Sequence, residues 1–124
     1  MKIKESAENY LETVLMLKNR NGHVRSIDVA NELGVTKPSV SVAMKNFREE
    51  GYVAIDEDGG IRLTEKGLEI AERVFERHSV IAQALIMLGI DEETAYGDSC
   101  KIEHDISQQT FEKLKEFIEK SRKD

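Results

Sequence analysis

The stretch Ser26 to Thr64, "SIDVANELGVTKPSVSVAMKNFREEGYVAIDEDGGIRLT", decides the fold. Two helical patterns flank Gly34-Val35. In the first, Ser26 is the expected N-cap, Ile27, Ala30 and Leu33 form the expected inner face, and Gly34 ends the helix. In the second, Thr36 is the expected N-cap, Pro38 falls in the first turn where its missing N–H does no harm, and Gly51 closes the helix. Two helices joined by a tight glycine turn read as helix-turn-helix. The next residues alternate: Tyr52, Val53 and Ile55 form one strand, Asp58-Gly59-Gly60 the turn, and Ile61-Arg62-Leu63 the return. A helix-turn-helix that runs straight into a hairpin is a winged helix.

Upstream, "SAENYLETVLMLKNR" predicts a helix with Ser6 as N-cap and Glu8 and Glu12 at the positive end of its dipole. Tyr10, Leu11, Val14, Leu15 and Leu17 supply its apolar stripe, and Asn21-Gly22 breaks it. Downstream, Thr64 opens a long helical stretch whose apolar positions (Leu68, Ile70, Ala71, Val74, Phe75, Ile81, Leu85, Leu88) are wider than one stripe, so part of that surface is expected to meet a partner chain. "DEETAYGDSCKIEHDIS" predicts short helices, and "SQQTFEKLKEFIEKSRKD" a final amphipathic helix with Phe111, Leu114, Phe117 and Ile118 inward. The expected fold is mainly α. A winged helix-turn-helix over residues 1–63 precedes an all-helical part over 64–124, whose long linking helix covers about 64–88.

Bulk properties narrow the function. A chain of 124 residues has the length of one domain, or of a small domain with an appendage. One cysteine excludes an internal disulfide and fits a reducing compartment. The opening "MKIKESAENY" lacks the apolar run of a leader, and no stretch approaches the ~18 apolar residues of a membrane helix. The expected location is the cytoplasm, with no membrane partner. Net charge is −6. Residues 1–63 carry nine Lys/Arg against ten Asp/Glu (−1), and residues 64–124 nine against fourteen (−5). That balance is unusual for a nucleic-acid reader, so any DNA face must be local.

In a winged helix the second helix of the motif presents its N-terminal residues to base edges. Here these are Thr36, Lys37, Pro38, Ser39 and Ser41. Small hydroxyls permit close approach, and Lys37 brings a phosphate charge. Lys45 and Arg48 further along, and Arg25 ahead of the motif, are expected to meet the backbone. The wing tip "DEDGG" points the other way, because three carboxylates repel phosphate; Arg62 is the contact expected of the wing. Winged helices also serve as protein-binding modules, and a hydroxyl at a helix start is often capping alone.

The second informative stretch is "CKIEH", Cys100 to His104. In a helix the thiol, Glu103 and His104 would share a face, as i, i+3 and i+4. His78, one of three histidines, lies in the middle of the long helix, and Glu12 lies three residues after Asn9. These are either chance surface residues or the arms of a metal site.

At these residues the chain resembles the diphtheria-toxin-repressor family of metal-activated transcriptional regulators, which includes the manganese transport regulators. The resemblance runs through "AENYLETVLML", "DVANELGVTKPSVSVAMKNFREEGYV", "LTEKGLEIAERVFERHSVIAQAL", "LGIDEETAYGDSC" and "CKIEH", nearly the whole chain. The spacing from Arg77-His78 to Glu103-His104 matches as well. The form it is similar to is the short one, without the SH3-like third domain of the iron-responsive branch. The resemblance implies a homodimer with a winged helix at each end and a helical metal-binding and dimerisation part. It implies metal ligands at Asn9, Glu12, His78, Cys100, Glu103 and His104. Imidazole, carboxylate and one sulfur suit Fe2+ or Mn2+, with Zn2+, Co2+ or Ni2+ binding in vitro. It implies an operator in double-stranded DNA and repression of metal-uptake genes. No organic substrate or enzymatic activity is expected. In the mechanism it implies, the ion fixes the gap between two recognition helices reading half-sites about 34 Å apart.

The chain departs from both branches of that family. Position 9 is methionine in the iron branch and aspartate in the manganese branch, and here it is Asn9. Cys100 follows the iron branch and Glu12 the manganese branch, while Tyr96 and Ala82 stand where iron members place ancillary ligands. A winged-helix regulator with a degenerate metal site, responding for instance to oxidation at Cys100, is the alternative. A hydrolase built on His78, Glu103 and His104 would need an open metal position and a general base, and no second motif supplies them.

Overall fold

The computed structural model describes residues 5–123 as six helices and one two-stranded sheet. Residues 1–4, part of the opening stretch read for a leader, and residue 124 lie outside the described residues. The chain divides into two compact units, Met1–Glu72 and Arg73–Asp124.

The first unit begins with α1, Glu5–Asn21. Leu11, Val14 and Leu17, at i, i+3 and i+6, are buried, with Tyr10 and Leu15 half-buried beside them. Ser6 lies inside this helix, so it does not cap it. Helix α2 is Ser26–Leu33 and α3 is Lys37–Glu49, joined through Gly34, whose φ of 69° is left-handed. The cap of α2 differs from expectation. Arg25 is the N-cap residue, and the Asp28 side chain accepts the Arg25 N–H at 2.9 Å. An acidic residue at the third helical position reaches back more readily than Ser26, already inside the first turn, could reach forward. The inner face also differs: Val29 and Ala30 are buried, while Ile27 is 46% exposed.

Helix α3 starts as its sequence dictates. Thr36 Oγ1 accepts the Ser39 N–H at 3.3 Å, and Pro38 lies in the first turn. Val40, Met44 and Phe47, at i, i+4 and i+7, face the core, and the Phe47 ring meets Tyr10 with centroids 5.8 Å apart. Burying a side chain such as Leu11 or Met44 stabilises the unit by roughly 1.5–3 kcal/mol.

The wing is β1, Val53–Ile55, antiparallel to β2, Ile61–Leu63, with Ala54 opposite Arg62. The turn closes through Asp56 N–H to Gly60 O at 2.8 Å and Gly59 N–H to Asp56 O at 2.9 Å. The Ile61 N–H donates to Val24 O at 2.7 Å, which fastens the wing to the loop between α1 and α2. Val53 and Ile61 enter the core.

Helix α4, Glu65–Met87, runs through the division between the units. Thr64 Oγ1 caps it by accepting the Gly67 N–H at 3.2 Å and donates to Gly51 O at 2.6 Å. In the second unit, α5 is Glu92–Ile102, capped by Asp91, and α6 is Gln108–Lys123. One helix therefore stands where short helices were expected. Val74, Ile81, Ala82, Ala95, Phe111 and Ile118 are buried. Phe117, expected inward, is 60% exposed, because Phe111 and Ile118 are two full turns apart and set the inward face. Arg77 Nη2 donates to Ile106 O at 3.0 Å and its guanidinium lies 5.4 Å from the Phe111 ring centre, holding the α5–α6 connection. Among the described residues no helix is long and apolar enough to cross a membrane.

Candidate metal centre and nucleic-acid interface

Helices α4 and α5 bring the second unit's expected ligands together. His78, in mid-α4, places Nε2 3.3 Å from Cys100 Sγ and 3.2 Å from the carbonyl oxygen of Tyr96. The Tyr96 ring meets the imidazole edge-on, with centroids 5.7 Å apart. A ring nitrogen of His78 and a carboxylate oxygen of Glu103 lie within 4.8 Å of each other. His104 Nε2 is 3.3 Å from Glu103 Oε1, with the two side chains only 5% and 1% exposed. The four residues thus form a chain of neighbours through His78 and Glu103.

The shared-face premise for "CKIEH" holds only in part. Helix α5 ends at Ile102; Glu103 is its C-cap and His104 falls in the turn that follows. Glu103 keeps helical geometry, its N–H donating to Ser99 O at 3.0 Å. Turn geometry rather than i+4 spacing delivers the imidazole of His104.

In the first unit, Asn9 and Glu12 are three residues apart on α1, Asn9 half-buried and Glu12 only 5% exposed. A carboxylate that hidden is costly without a cation or strong hydrogen bonds to face it. The donor types found here (imidazole nitrogen, thiol sulfur and buried carboxylate) fit a borderline divalent ion and are a poor fit for Ca2+ or Mg2+, which take oxygen ligands. Tyr96, singled out in the sequence only as standing where iron members place an ancillary ligand, lies beside His78. Its position one turn before Cys100 is the signal in the sequence that places it there.

All nine residues expected at DNA are solvent-exposed: Arg25, Thr36, Lys37, Pro38, Ser39, Ser41, Lys45, Arg48 and Arg62. The six between Lys37 and Arg48 occupy α3 opposite Val40, Met44 and Phe47, with Val42, 62% exposed, among them. Thr36 Oγ1 also donates to Ser39 Oγ at 2.8 Å, so the two hydroxyls position each other. Arg62 and Arg25 are held by aspartates of the wing: Arg62 Nε lies 2.9 Å from Asp56 Oδ1, and Arg25 Nη2 3.7 Å from Asp58 Oδ2.

Two family models match the chain: the iron-dependent repressor N-terminal DNA-binding domain over residues 2–61, and the iron-dependent repressor metal-binding and dimerisation domain over residues 64–124. A winged helix joined to a helical unit rich in metal-ligand chemistry is the architecture of a metal-dependent transcriptional regulator, and the chain belongs to the iron-dependent repressor family of such regulators. It is 37% identical over 120 residues to an HTH-type transcriptional regulator of Methanocaldococcus jannaschii, covering 95% of this chain and 96% of the relative. It is 32% identical over 114 residues to the HTH-type transcriptional regulator MntR of Bacillus subtilis, covering 92% of this chain and 80% of the relative. Among solved structures, the manganese regulator SloR superposes with a TM-score of 0.79 at 26% identity, over 96% of this chain. The IdeR of T. acidophilum gives 0.81 at 23% identity, over 95% of this chain, a likeness of fold. This chain spans about half of each of those two, 55% in both cases.

Proposed function

We propose that the chain is a cytoplasmic, homodimeric repressor of metal-uptake genes, switched on by Fe2+ or Mn2+ and bound to a double-stranded operator, with no catalytic activity and no organic substrate. The observation that carries this reading is the run of neighbouring donors from Cys100 through His78 and Glu103 to His104 in the unit matched by a metal-binding domain, with the Cys100 thiol 3.3 Å from the imidazole and His104 Nε2 3.3 Å from the Glu103 carboxylate. We assign these four as ligands, together with Asn9 and Glu12 of α1. The reading head is residues 1–63 and the metal-binding and dimerisation part 64–124, α4 serving as the linking helix over about 64–88. Phe75, Ile86, Met87, Leu88 and Phe117, all exposed, give the second part apolar surface for a second copy.

A divalent cation held by these residues would supply the positive charge that lets the Cys100 thiolate and the Glu103 carboxylate lie close together. The residues themselves do the rest. Glu103 and His104 fix their donors by burial, the Tyr96 carbonyl orients the His78 ring, and the α3 N-terminus offers Thr36, Ser39 and Ser41 hydroxyls to base edges. Lys37, Lys45, Arg48, Arg25 and Arg62 supply the phosphate charges. Coupling between metal and DNA is reciprocal, with a magnitude on the order of 1–3 kcal/mol.

The test is a metal titration with and without operator DNA, using Mn2+, Fe2+, Zn2+ or a chelator, on wild type and His104→Ala. Operator should tighten metal affinity by the same factor by which metal tightens operator binding, and His104→Ala should abolish both effects. Metal affinity indifferent to DNA would overturn the reading.

A further inference from the structure

The wing carries more charge chemistry than its fold requires. Asp56 holds Arg62 at 2.9 Å, while Asp58 lies 3.7 Å from Arg25 and 3.8 Å from His23 Nε2. The Arg25 Nε–H donates to His23 Nε2 at 3.2 Å, which locks the loop ahead of α2 to the same aspartate. All of these groups are exposed, each side chain at least 41%. Exposed ion pairs in water contribute little to stability. What they do change is the availability of the two arginines.

We propose that Asp56 and Asp58 are selectivity residues. Each holds an arginine of the DNA face, so that a phosphate must displace a carboxylate before Arg62 or Arg25 can engage it. This rests on the reading of those two arginines as DNA contacts. The consequence falls on DNA of arbitrary sequence, where phosphate attraction is almost the whole of the binding. At the operator, base contacts from α3 and the metal-bound state add affinity that overcomes the competition. The arrangement therefore lowers background binding more than it lowers specific binding, which suits a regulator that must let go when metal is scarce.

Two further observations support competition rather than a general acidic field. Asp58 is held ionised below the usual carboxylate range, first by the Gly60 N–H that it accepts at 3.0 Å, with the neighbouring Arg25 charge adding to this. Glu57, between the two aspartates, holds no cation among the described residues. The wing tip thus carries its own internal control: a carboxylate of the same charge at the same place, without an arginine.

The experiment measures binding of the full chain to a random-sequence duplex by fluorescence anisotropy across a salt series, in chelator and in Mn2+. The variants are Asp56→Asn/Asp58→Asn, Glu57→Gln, Arg25→Gln/Arg62→Gln, and the first and third combined. Asparagine at position 58 keeps an oxygen for the Gly60 N–H, and Asp56→Asn leaves the backbone hydrogen bonds of the turn in place. Asp56→Asn alone therefore carries the comparison should the double variant not fold. The paired-aspartate variant should bind about tenfold tighter, with a log K–log salt slope steeper by up to ~1.8 for two released arginines. Glu57→Gln should change binding by less than about 1.5-fold, against roughly threefold for each aspartate, and the aspartate gain should vanish once both arginines are replaced. An equal gain per carboxylate from Glu57→Gln overturns the proposal, because the effect would then be simple repulsion. So does an absence of gain from the aspartate variants while the arginine variant weakens binding, a result that leaves the DNA contacts intact. If the arginine variant binds as wild type, the contacts themselves are misread and the proposal falls with them.

Discussion

Gly67 lies so close beneath the Tyr52 carbonyl that a β-carbon there would stand 2.0 Å from the oxygen and 2.9 Å from the carbonyl carbon. The first turn of α4 and the strand entering the wing share that space, and Lys66, one residue earlier, sets its ammonium 4.5 Å from the Tyr52 ring centre. Gly67→Ala should therefore destabilise the first unit by about 3 kcal/mol, since backbone must move on both sides of the contact. The ~1 kcal/mol that alanine gains as a helix former does not offset this. Gly60→Ala is the contrast. Its nearest neighbour would be His23 Cε1 at 2.8 Å, the tip of an exposed side chain that can swing away, so a denaturant midpoint should move far less.

The recognition helix depends on its cap. Thr36 Oγ1 satisfies the Ser39 N–H, so Thr36→Ala should cost about 1 kcal/mol of stability and Thr36→Ser much less. DNA affinity measured on the same pair separates capping from contact. If Thr36→Ser binds as wild type and Thr36→Ala is weaker by more than its stability loss explains, the hydroxyl touches DNA. Equal affinities in all three proteins would reduce Thr36 to a cap.

How much of this was legible in the sequence varies with the kind of signal. The winged helix was, because Thr36, Pro38, Gly51 and Asp58-Gly59-Gly60 are punctuation whose meaning depends on local backbone geometry alone. Gly34 and Gly59 do adopt positive φ, at 69° and 86°. The inner face of α2 was not legible. An eight-residue helix has barely two turns, and Ile27-Ala30-Leu33 competes with Val29-Ala30 on nearly equal terms; the neighbours decide. Phe117 fails for a related reason, since Phe111 and Ile118, seven residues apart, set the inward face of α6 and Phe117 falls outside it. At the candidate site, residue types singled out His78, Cys100, Glu103 and His104, which the structure places as neighbours. The end of α5 at Ile102 could not be read, because Glu103 and His104 leave the helix without a glycine or proline to mark it.

Asp91 makes the second unit's stability pH-dependent in a defined direction. Its carboxyl is held below the ordinary 3.8, first by the Thr94 N–H and then by the Thr94 hydroxyl. A carboxyl group depressed in the folded state contributes stability that is fully present above its unfolded value and is lost as pH falls through the folded one. Asp91→Ala should therefore lag behind wild type most at neutral pH, and the gap should close below about pH 4. Urea midpoints at pH 7, 4 and 3 measure it. A gap that widens in acid would contradict the assignment of Asp91 as an ionised cap.

At Asn9, one of the proposed ligand positions, the chain offers an amide three residues along α1 from the nearly buried Glu12. Asn9→Asp adds a charged oxygen donor, and a higher ligand charge raises affinity for hard divalent ions more than for soft ones. Without a cation, the new carboxylate repels Glu12 across one turn and should cost a few tenths of a kcal/mol of stability. The variant should be slightly less stable in chelator yet need about tenfold less Mn2+ for DNA binding, with a smaller gain for Zn2+. Asn9→Ala should move the Mn2+ requirement the other way, because it removes the amide oxygen and adds no charge. If both substitutions leave the Mn2+ midpoint where wild type has it, Asn9 lies outside the proposed donor set.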